Sequence, residues 1–511
     1  MASRRDELNA YTFAKKRLVA AFLQPSPTGT EEGAPRPLRG ILPGIIIGVL
    51  ILAGFGAWGM FKPKAPEAWD EPGEKVIIGS ESTTRYVVLK TGKKAQLHPV
   101  LNLASAKLLL DPGKGEVVKV DEKVLDKGDI PHGATLGIPY APDRLPGPDE
   151  AAKRKRWAVC ERPSQGGRAV QKSAFVLAER DEHRVEGRNR LRGGELLYVQ
   201  GPDDKLYVVD RKGRKYPLAE NELLLRLIVE GRKPQRVSRQ WLATLHTGDP
   251  IDFPRVRGTV GQPAGQDGLD PRANQVGMVL RASSGAGTQH YVVLRTGVHP
   301  VSNFMAHLLL NPPRRDVLKQ NGKAMEVSAG TFTQSDIGFG QDLKWPTEKG
   351  EPVNEARTGA SKGSRDTVCN VLRGVDRRTG KTTLSTWAGD TAPAQLPSGA
   401  TSAYVTPGTG QLFRQVKGRN MKDGGIFLVT DTGLRYATQG TNDSEKGDPP
   451  DAGANGGQKA EQSQEGQEGQ NAQRRLGYEG LKPAPVPAEW SQFLPTGPRL
   501  STGSAKQPQG S

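Results

Sequence analysis

The stretch from Ile41 to Phe61, "ILPGIIIGVLILAGFGAWGMF", constrains this chain more than any other part of it. It carries no charged residue and matches the length of about 20 residues that a helix needs to cross a bilayer. Ile41 opens it, and Trp58 and Phe61 stand near its far end, where aromatic rings settle at the headgroup level. A cleaved signal peptide is the rival reading, yet residues 1–40 precede the run and no small-x-small site follows it before Lys62 and Lys64. A retained single-pass anchor is therefore expected. Arg4, Arg5, Lys15, Lys16, Arg17, Arg36 and Arg39 lie before the span, against only Lys62 and Lys64 close behind it. Basic loops stay inside, so the N-terminus is expected in the cytoplasm and the C-terminal region outside the cell membrane.

Within the cytoplasmic segment 1–40, Leu8, Tyr11, Leu18 and Phe22 recur at helical spacing from Arg4 to Leu23, among five basic residues. Such a helix suits the lipid of the anionic inner leaflet or a cytoplasmic partner. Beyond the span at 41–61 and a linker at 62–75, 63 Gly and 39 Pro in a chain of 511 residues predict several small domains. The net charge of +17 is spread along the chain among Asp and Glu, without a basic stripe interleaved by aromatics. A solvated surface beside an anionic membrane or wall is expected, and no nucleic acid partner.

Self-similarity organises the outer region. Four phrases share one type: "YVVLKTGKKAQLHPV" from Tyr86, "YVVDRKGRKYPL" from Tyr207, "YVVLRTGVHPV" from Tyr291 and "FLVTDTGLRYAT" from Phe427. Each reads as a β-hairpin with Gly at its turn, and in three of them Pro99, Pro217 and Pro300 are expected at the start of a following helix. Cys160 and Cys369 fall at matching places between the units, and "WLATLHTGDPIDF" from Trp241 resembles "WSQFLPTGPRLST" from Trp490. The fold class expected is a single-pass membrane protein with an elongated mixed α+β extracytoplasmic region: a central β-rich domain and four small hairpin-helix repeat domains, arising by internal duplication. The expected divisions are repeat 1 at 76–130, the first half of the central domain at 131–195, repeat 2 at 196–254 and a linker at 255–275. Repeat 3 follows at 276–330, the second central half at 331–400 and repeat 4 at 401–500, with a disordered tail at 501–511. Gly440 to Gln473, rich in Gly, Gln and Glu with almost no apolar side chain, is expected to be a disordered insertion in repeat 4.

In an oxidising compartment one intramolecular bond between Cys160 and Cys369 is the economical assignment, against two unpaired or intermolecular thiols. His98 and Asn102 match His299 and Asn303, which invites a catalytic His–Asn reading. The second unit carries Tyr216 and Glu220 at those places, however, and the fourth has Tyr436 with no Pro. The structural reading, a helix-starting joint, is preferred. "GVDRRTGKTT" from Gly374 imitates a phosphate loop, but five residues separate Gly374 from Gly380 where the motif needs four. No catalytic, metal or cofactor site is expected.

Taken together, "RRDELNAYTFAKKRLVAAFL", "RPLRG" before the span, "TTRYVVL", "LHPVLNLASAKLLL", two lone cysteines and "LGYEGLKPAPVPAEWSQFLPTGPRL" closely resemble the EccB family of type VII (ESX) secretion systems. The resemblance implies a structural and assembly subunit of a membrane complex, with the EccC ATPase, EccD, EccE and the mycosin protease as partners and self-association outside the membrane. It also implies a central domain with four repeats and a disulfide. Two alternatives accompany it: an extracytoplasmic nucleotide hydrolase, since ATPase activity has been attributed to the family, and a cell-wall-binding anchor.

Overall fold

The computed structural model describes residues 4–23, 38–61, 65–438 and 472–509, apart from 93, 165–168, 285–286, 314–316, 356–364, 397–401, 419 and 422. The tract from Gly440 lies outside the described residues up to 471. Helix α1 (Arg4–Leu23) exposes Leu8, Tyr11, Leu18 and Phe22. Helix α2 (Leu38–Phe61) contains a candidate membrane span, Ile41–Gly59, of 19 residues. Ile41 and Trp58 are exposed, as the ends of an unpacked span should be.

The rest of the chain is mixed α/β. Strands β1 (Lys75–Gly79), β2 (Arg85–Thr91) and β3 (Lys94–Val100), helix α3 (Leu103–Leu109) and strand β4 (Glu116–Val120) build the first sheet, in the order β3-β2-β1-β4. Short helices α4 (Glu122–Leu125) and α5 (Pro148–Ala152) lead to β5 (Arg156–Pro163) and β6 (Val170–Leu177). The second sheet takes β7 (Glu195–Gln200), β8 (Leu206–Val209), β9 (Arg214–Pro217) and, after α6 (Glu222–Val229), β10 (Gln235–Arg236). Helix α7 (Arg239–Ala243) then leads to β11 (His246–Thr247), beside β9. The third sheet repeats the plan with β12 (Val279–Ser284), β13 (Gly287–Leu294), β14 (Gly297–Val301), α8 (Asn303–Leu309) and β15 (Met325–Ser328). After β16 (Glu351–Pro352), strands β17 (Thr367–Val375), β18 (Thr382–Gly389) and β19 (Ala403–Val405) join β5 and β6 in a five-stranded sheet, β18-β17-β5-β6-β19. The fourth unit has β20 (Gly410–Val416), β21 (Ile426–Thr430), β22 (Arg435–Ala437) and β23 (Ala484–Pro487), followed by α9 (Ala488–Ser491) and α10 (Thr502–Ala505). In all four units three antiparallel strands are closed by a fourth that returns parallel to the first.

The hairpins read from sequence are the second and third strands of this plan, in one common register. Tyr86 faces Pro99, Tyr207 faces Pro217, Tyr291 faces Pro300 and Phe427 faces Ala437. The prolines therefore lie within strands, which corrects the expectation that they begin helices. Pro99 and Pro300 sit in the end strands of their sheets, where a missing N–H breaks no ladder. The helices are started instead by side-chain caps: Asn102 accepts from the Ser105 N–H, Asn221 from Leu224 and Ser302 from Met305. Asn303 is thus the first helical residue and Ser302 is the equivalent of Asn102, a one-residue offset that the matching of the two Asn missed.

Packing joins the units in pairs drawn from opposite halves of the chain. One face of the central sheet, with Trp157, Val159 and Leu372, is buried against Leu197 and Trp241 of the second unit and Phe413 and Trp490 of the fourth. The first unit shares a core with the fourth through Val87, Leu108, Tyr436 and Ala505. The third unit shares one with the second through Leu308, Phe304, Tyr198 and Ile228.

Four expected divisions are corrected by these contacts. Residues 131–136 bond to β3, with the Leu97 N–H donating to Pro131 O and Leu136 N–H to Pro99 O, so they belong with the first sheet. Residues 255–275 are not a free linker, because Ala264, Ala273 and the following Val276 are buried against Leu280 and Tyr291. Strand β19 pairs with β6 in the central sheet. The tail expected to be disordered is folded from 501 to 509: α10 packs on α3 with Ala505 fully buried, and the Gln509 N–H donates to Thr135 O. Small residues, Thr502-Gly503-Ser504-Ala505, let the two helices approach, and composition alone did not reveal it.

Candidate functional site

Cys160 and Cys369 form a disulfide across directly opposed positions of β5 and β17, with their Cα atoms 4.0 Å apart. It links residues 209 apart and is fully buried beneath Phe175 and Trp387. Beside it Glu161, also without exposure, accepts from the N–H and hydroxyl of Ser238, the cap of α7. Burial pushes its carboxyl above the ordinary value, and the Ser238 hydrogen bonds and the Lys172 charge oppose this. Sequence reasoning missed Glu161, since a lone Glu after Cys160 carries no periodic signal.

The repeat residues form joints. His98 lies in β3 and its Nδ1 is 2.9 Å from Ala134 O; His299 lies in β14 with Nδ1 2.8 Å from Ile337 O. Each imidazole pins the segment that returns beside its strand, where Leu97 bridges to His132 and Val298 to Gln334. Tyr216 and Tyr436 occupy the same register in β9 and β22. Their rings lie so close to Gly248 and Gly497 that a Cβ there would stand within 2.4 and 2.5 Å. The four positions thus hold returning segments by two chemistries, imidazole in units one and three and a phenol ring in units two and four. Asn102 and Asn303 do not share a role: Asn102 donates to Ile138 O, whereas Asn303 donates to Glu348 and lies 3.1 Å from His290 Nδ1. No His–Asn catalytic pair is assembled at His98 or His299: each Nδ1 meets a backbone carbonyl, His299 Nε2 meets Thr296, and His98 Nε2 is buried without a hydrogen-bond partner among the described residues.

The phosphate-loop lookalike is the hairpin turn between β17 and β18. Asp376 Oδ1 accepts from the N–H groups of Thr379 and Arg378 at 2.7 and 2.9 Å, and these bonds hold its carboxyl below the usual range. A carboxylate therefore occupies the amides that a phosphate would need. Among the described residues no group of three or more His, Cys, Asp or Glu side chains lies together as a metal site.

The family model for the type VII secretion system ESX-1 transport domain B matches residues 1–510. ESX-3 secretion system ATPase EccB3 of Mycolicibacterium smegmatis is 24% identical over 98% of this chain and 90% of its own length. Among solved structures, a chain of an intact ESX-5 inner membrane complex aligns with a TM-score of 0.55 at 20% identity, covering 100% of this chain and 96% of that one. A chain of the EccB3 dimer from the ESX-3 core complex aligns with a TM-score of 0.53 at 21% identity, covering 84% and 99%. One candidate span followed by this many-sheeted α/β body, matched along nearly the whole chain, defines a membrane component of a type VII secretion system. The chain belongs to the EccB family.

Proposed function

We propose that this chain is a non-enzymatic scaffold: it spans the membrane once with its N-terminus in the cytoplasm, and its outer region organises the extracytoplasmic face of the secretion complex. Four like sheets arranged about a disulfide-bonded middle fit an internal duplication that builds a platform. His98, Pro99, Asn102, Pro217, His299, Pro300 and Asn303 are its building joints. The observation that carries the reading is the continuous pairing of cores across the two halves, which makes one stiff body from units too small to be stable alone. The family resemblance supplies the partners, namely the EccC ATPase, EccD, EccE and the mycosin protease. Self-association outside the membrane is favoured by the likeness to a chain solved as an EccB3 dimer.

A second reading, an extracytoplasmic nucleotide hydrolase, is favoured by the word ATPase in the relatives' names. The two part at Lys381. Under the scaffold reading Lys381→Ala leaves secretion within about twofold of wild type, as surface substitutions away from packed features change little. Loss of secretion together with loss of nucleotide binding by the purified chain would establish the hydrolase instead.

A further inference from the structure

A pocket of about 200 Å³ lies between the central sheet and the fourth unit, and its charged lining is wholly cationic: Arg154, Lys155 and Arg377. The opposite wall is apolar, made of Trp157, Leu372 and Val375 with Ala484, Pro485 and Val486 of β23. Three of the polar lining residues are held by specific contacts. Lys155, its side chain 1% exposed, is held 2.6 Å from Glu150 Oε1. Gln411 is locked between the Trp157 indole N–H and Lys153 O. The register of β17 shifts between Leu372 and Gly374, and Arg154 lies across that bulge, donating to Arg373 O. A Cβ on Gly374 would stand 2.4 Å from the Arg154 guanidinium, so the glycine that imitates a phosphate loop in the sequence makes room for an arginine.

We propose that this pocket receives the C-terminal carboxylate of an extended polypeptide, with the carboxylate at Arg154 and Arg377 and the last side chain against Trp157 and Val486. Three features select that ligand. Two guanidiniums suit a planar carboxylate. The volume is that of one residue and too small for a nucleotide, while the apolar wall has nothing to offer a bare phosphate. Strand β23 walls the pocket and ends its sheet; its Pro485 and Pro487 supply no N–H, so a main chain leading into the pocket meets that edge only by donating to its carbonyls.

The test uses the full chain in detergent at low salt and a mixed pool of N-acetylated hexapeptides with free C-termini, against the same pool C-terminally amidated. Peptides retained are counted by mass spectrometry. Expected is retention of apolar-ended free-acid peptides at least about tenfold above their amides, as a charge-assisted bidentate contact implies. Arg377→Gln and Arg154→Gln/Arg377→Gln should each remove that preference, while Lys381→Gln, outside the lining, keeps it. Arg377 is exposed, so its single variant remains informative if the double variant fails to fold. Equal retention of acids and amides, no retention of either, or displacement of the peptides by equimolar inorganic phosphate overturns the proposal.

Discussion

Replacing Cys160 and Cys369 together by alanine is expected to lower the stability of the outer region by about 3–5 kcal/mol. The bond closes a loop spanning a sequence separation of 209, and in the chain-entropy model a loop of this size restrains the unfolded chain by about 5 kcal/mol. Strands β5 and β17 come from opposite halves and carry the central sheet, so without the bond their pairing depends on β-ladder and core contacts alone. Urea unfolding of the wild-type and double-alanine chains measures the difference, and reduction of the wild type should reproduce it. Unchanged midpoints would mean that packing of the two halves, not the crosslink, holds the middle together.

Trp241→Ala should cost about 3–5 kcal/mol, the range for removing a large buried aromatic. The ring is fully buried between the second unit and the central sheet, packed near Val159 and Leu197, and its indole N–H donates to Val159 O at 3.1 Å. Truncation leaves a cavity and removes the indole's hydrogen bond to the Val159 carbonyl in one step. Its counterpart Trp490 is also buried in this core, so Trp490→Ala is expected to fall in the same range. Limited proteolysis should show the second unit released first in the Trp241 variant, because that residue joins it to the middle. Thermal unfolding within about 1 kcal/mol of wild type would show that this joint is not where the body is held.

Much of this plan was legible in the sequence because it rests on short-range signals. The apolar span, the Tyr-Val-Val strands with glycine turns and the Trp endings each reveal themselves within one short contiguous stretch, and the cysteines by being the only two in the chain. The opening strand of each unit was not named, since β1, β7, β12 and β20 are set by pairing with a hairpin rather than by a turn of their own. Proline at 99, 217 and 300 misled because its missing N–H is tolerated at a helix start and also at the margin of a sheet, in an end strand for Pro99 and Pro300 and at the last residue of β9 for Pro217. Cross-half pairing was invisible for a different reason. Nothing local in Ala505 says that it will be buried on α3, and nothing in Leu308 says that it will meet Tyr198. Of the cationic pocket, the sequence displayed Gly374, Val375 and Arg377, inside a stretch that suggested phosphate.

The central claim, an assembly scaffold, is tested most directly by native mass spectrometry of the membrane complex captured through this chain after gentle solubilisation. The expected result is a particle holding more than one copy of the chain together with other membrane subunits of the secretion system. Recovery of the chain as a lone monomer without partners would contradict it.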